Sequence, residues 1–102
     1  MTIRLEASRP MSRRYYEYIY TEISLAAGHR ISGYSLWLLI WEAGGDPDDL
    51  SRDQVRVFVE QHLSALLSEE GCRLDRRARA RLEKRLLRFD PRYPTPEERL
   101  AA

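Results

Sequence analysis

The segment YSLWLLIWEA, residues 34–43, carries the strongest structural signal in this chain. Six consecutive apolar residues, 36–41, leave the segment without a polar face when it is drawn as a helix. Gly44 and Gly45 follow it, and the next four residues read DPDD, which is typical of a turn. We therefore predict a short helix at the centre of an all-α domain, buried on most of its sides.

A longer amphipathic helix is predicted on the N-terminal side, over about 10–27. Pro10 suits its start and Gly28 suits the position after its end. Residues 1–9 alternate apolar and polar side chains, a pattern typical of a strand. Since the chain has no second strand signal, this segment is predicted to be an extended arm or a short strand that pairs with another copy.

Two amphipathic helices are predicted on the C-terminal side. Ser51 and Gln54 form a capping box at the start of one, and Asp75 is the predicted N-cap of the other, which ends near residue 88 or 89. The Pro-rich tail, 90–102, cannot continue that helix, although the sequence TPEE within it predicts a last helical turn. The predicted fold is a small irregular four-helix bundle in a single domain, 1–102.

Composition excludes several classes of protein. With 43% hydrophobic and 32% charged residues, the chain is globular rather than disordered. No apolar run approaches the roughly 20 residues that a bilayer requires, and the N-terminus lacks the apolar region of a secretory signal. A single cysteine, Cys72, allows no internal disulfide, so a cytoplasmic location is expected. The excess of arginine over lysine and the scarcity of amides suggest a thermophile-like composition.

The charges are distributed unevenly, although the formal net charge is only +1. Residues 42–70 carry a net charge of −6 and residues 72–92 carry +6. Within the fourth predicted helix, five cations repeat at i, i+4, i+7, i+8 and i+11, which places them on one side of the helix. We call these residues the cationic stripe: Arg77, Arg81, Lys84, Arg85 and Arg88.

The cationic stripe has four interpretations. It could bind an acidic protein surface, or it could bind the phosphates of a nucleic acid. It could also be a solvated face, or it could dock onto the acidic loop 46–53 of the same or a second chain. The short connection before the fourth helix is compatible with a helix-turn-helix motif. The stripe has no Asn, Gln, Ser or Thr, however, so it would hold phosphates rather than read bases.

Two further features suggest contacts or chemistry. Tyr18 and Leu25 lie off the main apolar face of the first helix and predict an oligomer contact, most simply in a homodimer. His62 lies on the apolar face of the third helix, where it is either a pH-dependent switch or general base, or a core histidine bonded to a tyrosine.

No nucleophile, nucleotide-binding or metal-ligand motif occurs, so no catalytic residue, metal or cofactor is predicted. The leading prediction is a non-catalytic protein-interaction or regulatory module that self-associates. The alternatives are a nucleic-acid-binding protein, and a small enzyme or metal protein with a site at a dimer interface around His62.

Overall fold

The computed structural model describes the backbone of residues 2–89 and the side chains of residues 13–89. This part of the chain is all-helical, as the sequence predicts, and no strand occurs in it. Five helices follow one another: α1 Thr2–Ala27, α2 Gly33–Glu42, α3 Arg52–Gln61, α4 Leu63–Glu69 and α5 Arg76–Leu86. The last helical turn, which the sequence TPEE predicts within the tail, lies outside the described residues.

The prediction for residues 1–9 is corrected by α1, which is already helical at Thr2 and therefore is neither an extended arm nor a strand there. Pro10, the predicted start, lies inside this helix. An extended segment with no partner strand leaves its backbone groups unpaired, whereas a helix satisfies them locally. The predicted end is confirmed, because Gly28 has a φ of 81° and its N–H donates to the Ser24 carbonyl at 3.0 Å.

The short helix α2 is anchored on one side only. Ser32 is its N-cap, accepting a hydrogen bond from the Ser35 N–H at 3.1 Å. Leu36 and Ile40 are buried, whereas Trp37 and Trp41 are 42% and 47% exposed. The predicted enclosure of this helix on most sides is therefore not confirmed. Its apolar pattern does not distinguish the face that packs on α3 and α4 from the face that remains in solvent.

The third predicted helix is divided in two, which is why the structure has five helices rather than the predicted four. The capping box at its start is confirmed: the Gln54 N–H donates to Ser51 Oγ at 3.2 Å, and the Ser51 N–H donates to Gln54 Oε1 at 3.1 Å. His62, with φ −127° and ψ −15°, separates α3 from α4.

The last helix, α5, begins at the predicted N-cap, where the Ala78 N–H donates to Asp75 Oδ1 at 2.7 Å. It packs mainly along α1. The core between the helices contains fifteen buried apolar residues: Tyr15, Ile19, Ile23, Ile31, Leu36, Ile40, Val55, Phe58, Val59, Leu63, Leu66, Leu67, Leu82, Leu86 and Phe89.

Candidate interaction surface

The cationic stripe lies on the solvent side of α5. Leu82 and Leu86 are buried on the opposite side of the same helix, facing the core. Since the leucines determine which way the helix is turned, all five stripe residues are exposed. The sequence prediction that these cations share one open face agrees with their placement; what they bind stays a prediction.

Side chains of α1 hold the end of α5 in position. The Tyr15 hydroxyl donates to the Leu86 carbonyl at 2.8 Å, and the Tyr18 hydroxyl donates to the Arg85 carbonyl at 2.6 Å. These bonds satisfy carbonyls that a helix end otherwise leaves without partners. The Tyr15 ring also stacks on Phe89, with the ring centroids 4.6 Å apart. The stripe is therefore presented by a fixed helix.

The ion pairs of the described residues do not involve the cationic stripe. On α5 itself, Arg79 lies off the stripe and pairs with Glu83 at 2.7 Å. Arg13 of α1 pairs with Asp48 of the acidic loop at 3.2 Å. No stripe residue makes an ion pair within residues 13–89. Docking of the stripe onto the acidic loop of the same chain is therefore not observed, since Arg13 holds that position.

A buried carboxyl, Glu22, lies near the C-terminal end of the stripe. It is only 8% exposed, and burial raises its pKa above 4.5, although the positive charges of Arg85 and Arg88 partly oppose this rise. Sequence reasoning missed Glu22. The available signal was its position four residues after Tyr18, which places the two residues on the same side of α1.

Tyr18 and Leu25 do not share one exposed spot. Tyr18 is half-buried, and its ring lies 5.3 Å from that of Phe89, between centroids. Packing on α5 explains why an aromatic side chain stands at position 18, and no second chain is needed for it. Leu25 is 65% exposed, so the predicted oligomer contact rests on Leu25 alone and stays a prediction.

An unpredicted aromatic surface lies on α2. Tyr34, Trp37 and Trp41 are spaced i, i+3 and i+7, which puts them on one side of the helix. Tyr34 is 71% exposed, and the two indole rings meet edge to face with centroids 5.7 Å apart. We call these three residues the aromatic face.

His62 is half-buried between α3 and α4. Within the described residues its side chain makes no hydrogen bond to a tyrosine, although the core interpretation expects one. Its role as a switch, or as the centre of a site between two chains, stays a prediction.

Two surface grooves contain polar side chains but no assembled catalytic pair. One, of about 430 Å³, is lined by Ser24 and His29. The Ser24 hydroxyl accepts a hydrogen bond from the Ile31 N–H, while His29 Nε2 lies 3.2 Å from a carboxylate oxygen of Glu70. The other, of about 540 Å³, includes Cys72, whose thiol lies 3.9 Å from a backbone carbonyl. Neither groove joins a nucleophile to a base.

None of the helices in the described part of the chain is long and apolar enough to cross a bilayer. In the same part of the chain, no cluster of three or more His, Cys, Asp or Glu side chains could hold a metal ion.

Comparison of the chain with protein-family models, with curated proteins and with solved structures finds no match.

Proposed function

We propose that this protein is a non-catalytic interaction module that binds an acidic protein partner through the cationic stripe of α5. The supporting observation is the contrast within that helix: Arg79 forms an ion pair, and none of the five stripe residues does in the described part of the chain. Neighbouring like charges on a helix repel one another. A partner that supplies carboxylates removes this repulsion.

The rigid placement of α5 favours such binding. Its first turn is capped by Asp75 and its last turn is held by Tyr15 and Tyr18. A preorganised row of charges loses little conformational entropy on association. Each exposed ion pair contributes only about 0.2–1 kcal/mol, so several together, rather than one, make the contact useful. They also accelerate encounter with an acidic surface.

Nucleic-acid phosphates are the second candidate for the same stripe. Arginine, which supplies four of its five residues, suits phosphate as well as carboxylate. The protein partner is preferred because the stripe has none of the Asn, Gln, Ser and Thr side chains that would read bases. We further propose that the protein self-associates and acts in the cytoplasm.

The test compares two fluorescent probes at 50–300 mM salt: a peptide of alternating Glu and Ala, and a random single-stranded oligonucleotide. We expect micromolar binding of the peptide that weakens with salt and is lost in the Arg81→Glu/Arg85→Glu variant. The control, Arg73→Glu/Arg76→Glu, changes the net charge equally at exposed positions outside the stripe. An equal loss of peptide binding in both variants would mean that binding depends on net charge and not on the stripe. If only the oligonucleotide binds, and its binding is lost in the stripe variant, the stripe binds nucleic acid instead of an acidic protein.

A further inference from the structure

The aromatic face of α2 is large enough to be an interaction surface. An aromatic side chain can bury about 150–250 Å². With the exposed fractions of 71%, 42% and 47% for Tyr34, Trp37 and Trp41, the three side chains present about 240–400 Å² to solvent. Patches of this size on a single chain are often functional.

The charges at the two ends of α2 indicate which partner this face fits. Arg30 is exposed just before the helix, and Glu42 is exposed at its last residue. Neither makes an ion pair within the described residues. Both charges are placed unfavourably for their own helix, because the N-terminal end of a helix dipole is positive and the C-terminal end is negative.

An antiparallel second copy of α2 corrects both unfavourable placements. It brings the partner's positive helix N-terminus and basic residue beside Glu42, and the partner's negative C-terminus and acidic residue beside Arg30. The same two-fold axis passes near Trp37, so that Tyr34 of each chain faces the second tryptophan of the other. A surface that is complementary to itself in this way is the requirement for a two-fold dimer.

We infer that the aromatic face of α2 is the contact between two copies of this chain, packed antiparallel, with Arg30 of each copy paired to Glu42 of the other. The area on each side is about half of a standard interface, which places the dimer in the weak, reversible class. This contact differs from the one that the sequence predicts at Leu25. It also does not depend on the cationic stripe having a partner.

The experiment is sedimentation of the full chain at 1–500 μM in 50 mM salt. We expect a monomer–dimer equilibrium that is weakened at least about tenfold by Arg30→Glu or by Glu42→Arg, since each places like charges opposite one another. The double variant Arg30→Glu/Glu42→Arg exchanges the two charges and should restore the dimer. Restoration by a second charge change cannot result from misfolding of the single variants.

Two more variants distinguish other occupants of this face. Trp37→Gln/Trp41→Gln, with folding checked by circular dichroism, should abolish the dimer, and Leu25→Ser should leave it intact. The inference is overturned if the chain remains monomeric at 500 μM, if only Leu25→Ser disrupts the dimer, or if the charge exchange fails to restore it. Binding of the acidic peptide is measured separately, so failure of either proposal is recognised independently.

Discussion

At the scale of single residues, Tyr15, Tyr18 and Glu22 show how α1 positions the stripe helix. The two tyrosine hydroxyls bond to carbonyls at the end of α5, and the Glu22 carboxyl is buried in the same contact region. Burial disfavours the ionised forms of all three side chains, and it raises the pKa of each. The stability of the contact between α1 and α5 therefore depends on pH at acidic pH, through Glu22, and at alkaline pH, through the two tyrosines.

Tyr15→Phe should lower the free energy of unfolding at pH 8 by about 1–3 kcal/mol, because the buried Leu86 carbonyl loses its donor. Burial raises the pKa of Tyr15 from 10.0 to about 12. The unfolded chain thus loses this proton first, and stability falls as pH rises from 10 towards 12. Denaturant unfolding at several pH values should show the wild-type advantage shrinking over that window. A gap that stays constant to pH 12 would contradict the linkage.

Glu22→Gln should raise the melting temperature at pH 7. Because burial raises the pKa of Glu22 above 4.5, the unfolded chain ionises first as pH rises, and the wild type loses stability above pH 4.5. The amide removes this loss, because it has no proton to release over this range. Thermal melts should show no gain below pH 4. A variant that is less stable at pH 7 would mean that Glu22 pairs directly with Arg85 or Arg88.

At the scale of helices, the ends are determined by neighbouring residues. The bonds at Ser51 and Asp75 each join residues three positions apart. Gly71, with a φ of 67°, follows α4 and allows the Cys72 N–H to reach the Leu67 carbonyl at 2.9 Å. Rules that involve residues so close together in the chain were sufficient to predict these helix ends. They were insufficient for the start of α1, because residues 1–9 also have a strand-like pattern, and no strand in the described residues pairs with them.

Ser51→Ala should cost about 1 kcal/mol, since it removes the Ser51 Oγ acceptor of the Gln54 N–H at the start of α3. The matched control is Ser64→Ala, an exposed position within α4, where alanine favours the helix slightly. Chemical denaturation of both variants checks the prediction. Equal effects at the two sites would show that the cap contributes nothing measurable.

Arg81→Glu should stabilise the folded chain slightly, by about 0.5 kcal/mol, although it weakens partner binding. The new carboxylate lies four residues from both Arg77 and Arg85, and such pairs contribute about 0.2–0.5 kcal/mol each. Arg79→Glu, on the same helix, should instead destabilise, because it breaks the 2.7 Å pair with Glu83. Melting temperatures at low salt compare the two. A destabilised Arg81→Glu variant would indicate that the wild-type residue already has a partner.

At the scale of the whole molecule, one core decides which apolar residues are buried. Helix α2 packs mainly on α3 and α4, while α5 packs mainly on α1. The aromatic face and the cationic stripe therefore belong to helices whose main neighbours differ. This arrangement provides two separate surfaces on a chain of 102 residues, one aromatic and one basic.

Leu36→Ala should cost about 2–5 kcal/mol, because Leu36 is fully buried in the core. Leu38→Ala, the same substitution two residues later, should cost far less, since Leu38 is only partly buried. The free energy of unfolding of a domain is typically about 5–15 kcal/mol, so the folded state of the Leu36→Ala variant becomes only marginally stable. Urea unfolding measures both. Equal losses would mean that α2 is enclosed on most of its sides, as the sequence predicted.

The sequence by itself determined the helical class, the caps at Ser51 and Asp75, and the single-sided row of cations on α5. Each of these depends on residues within one or two turns of a helix, so local rules suffice. Tertiary structure alone decided that Trp37 is exposed, that Tyr18 belongs to the contact with α5, and that Glu22 is buried. Burial depends on which distant helices cover a side chain, and the periodicity of one helix contains no information about its neighbours.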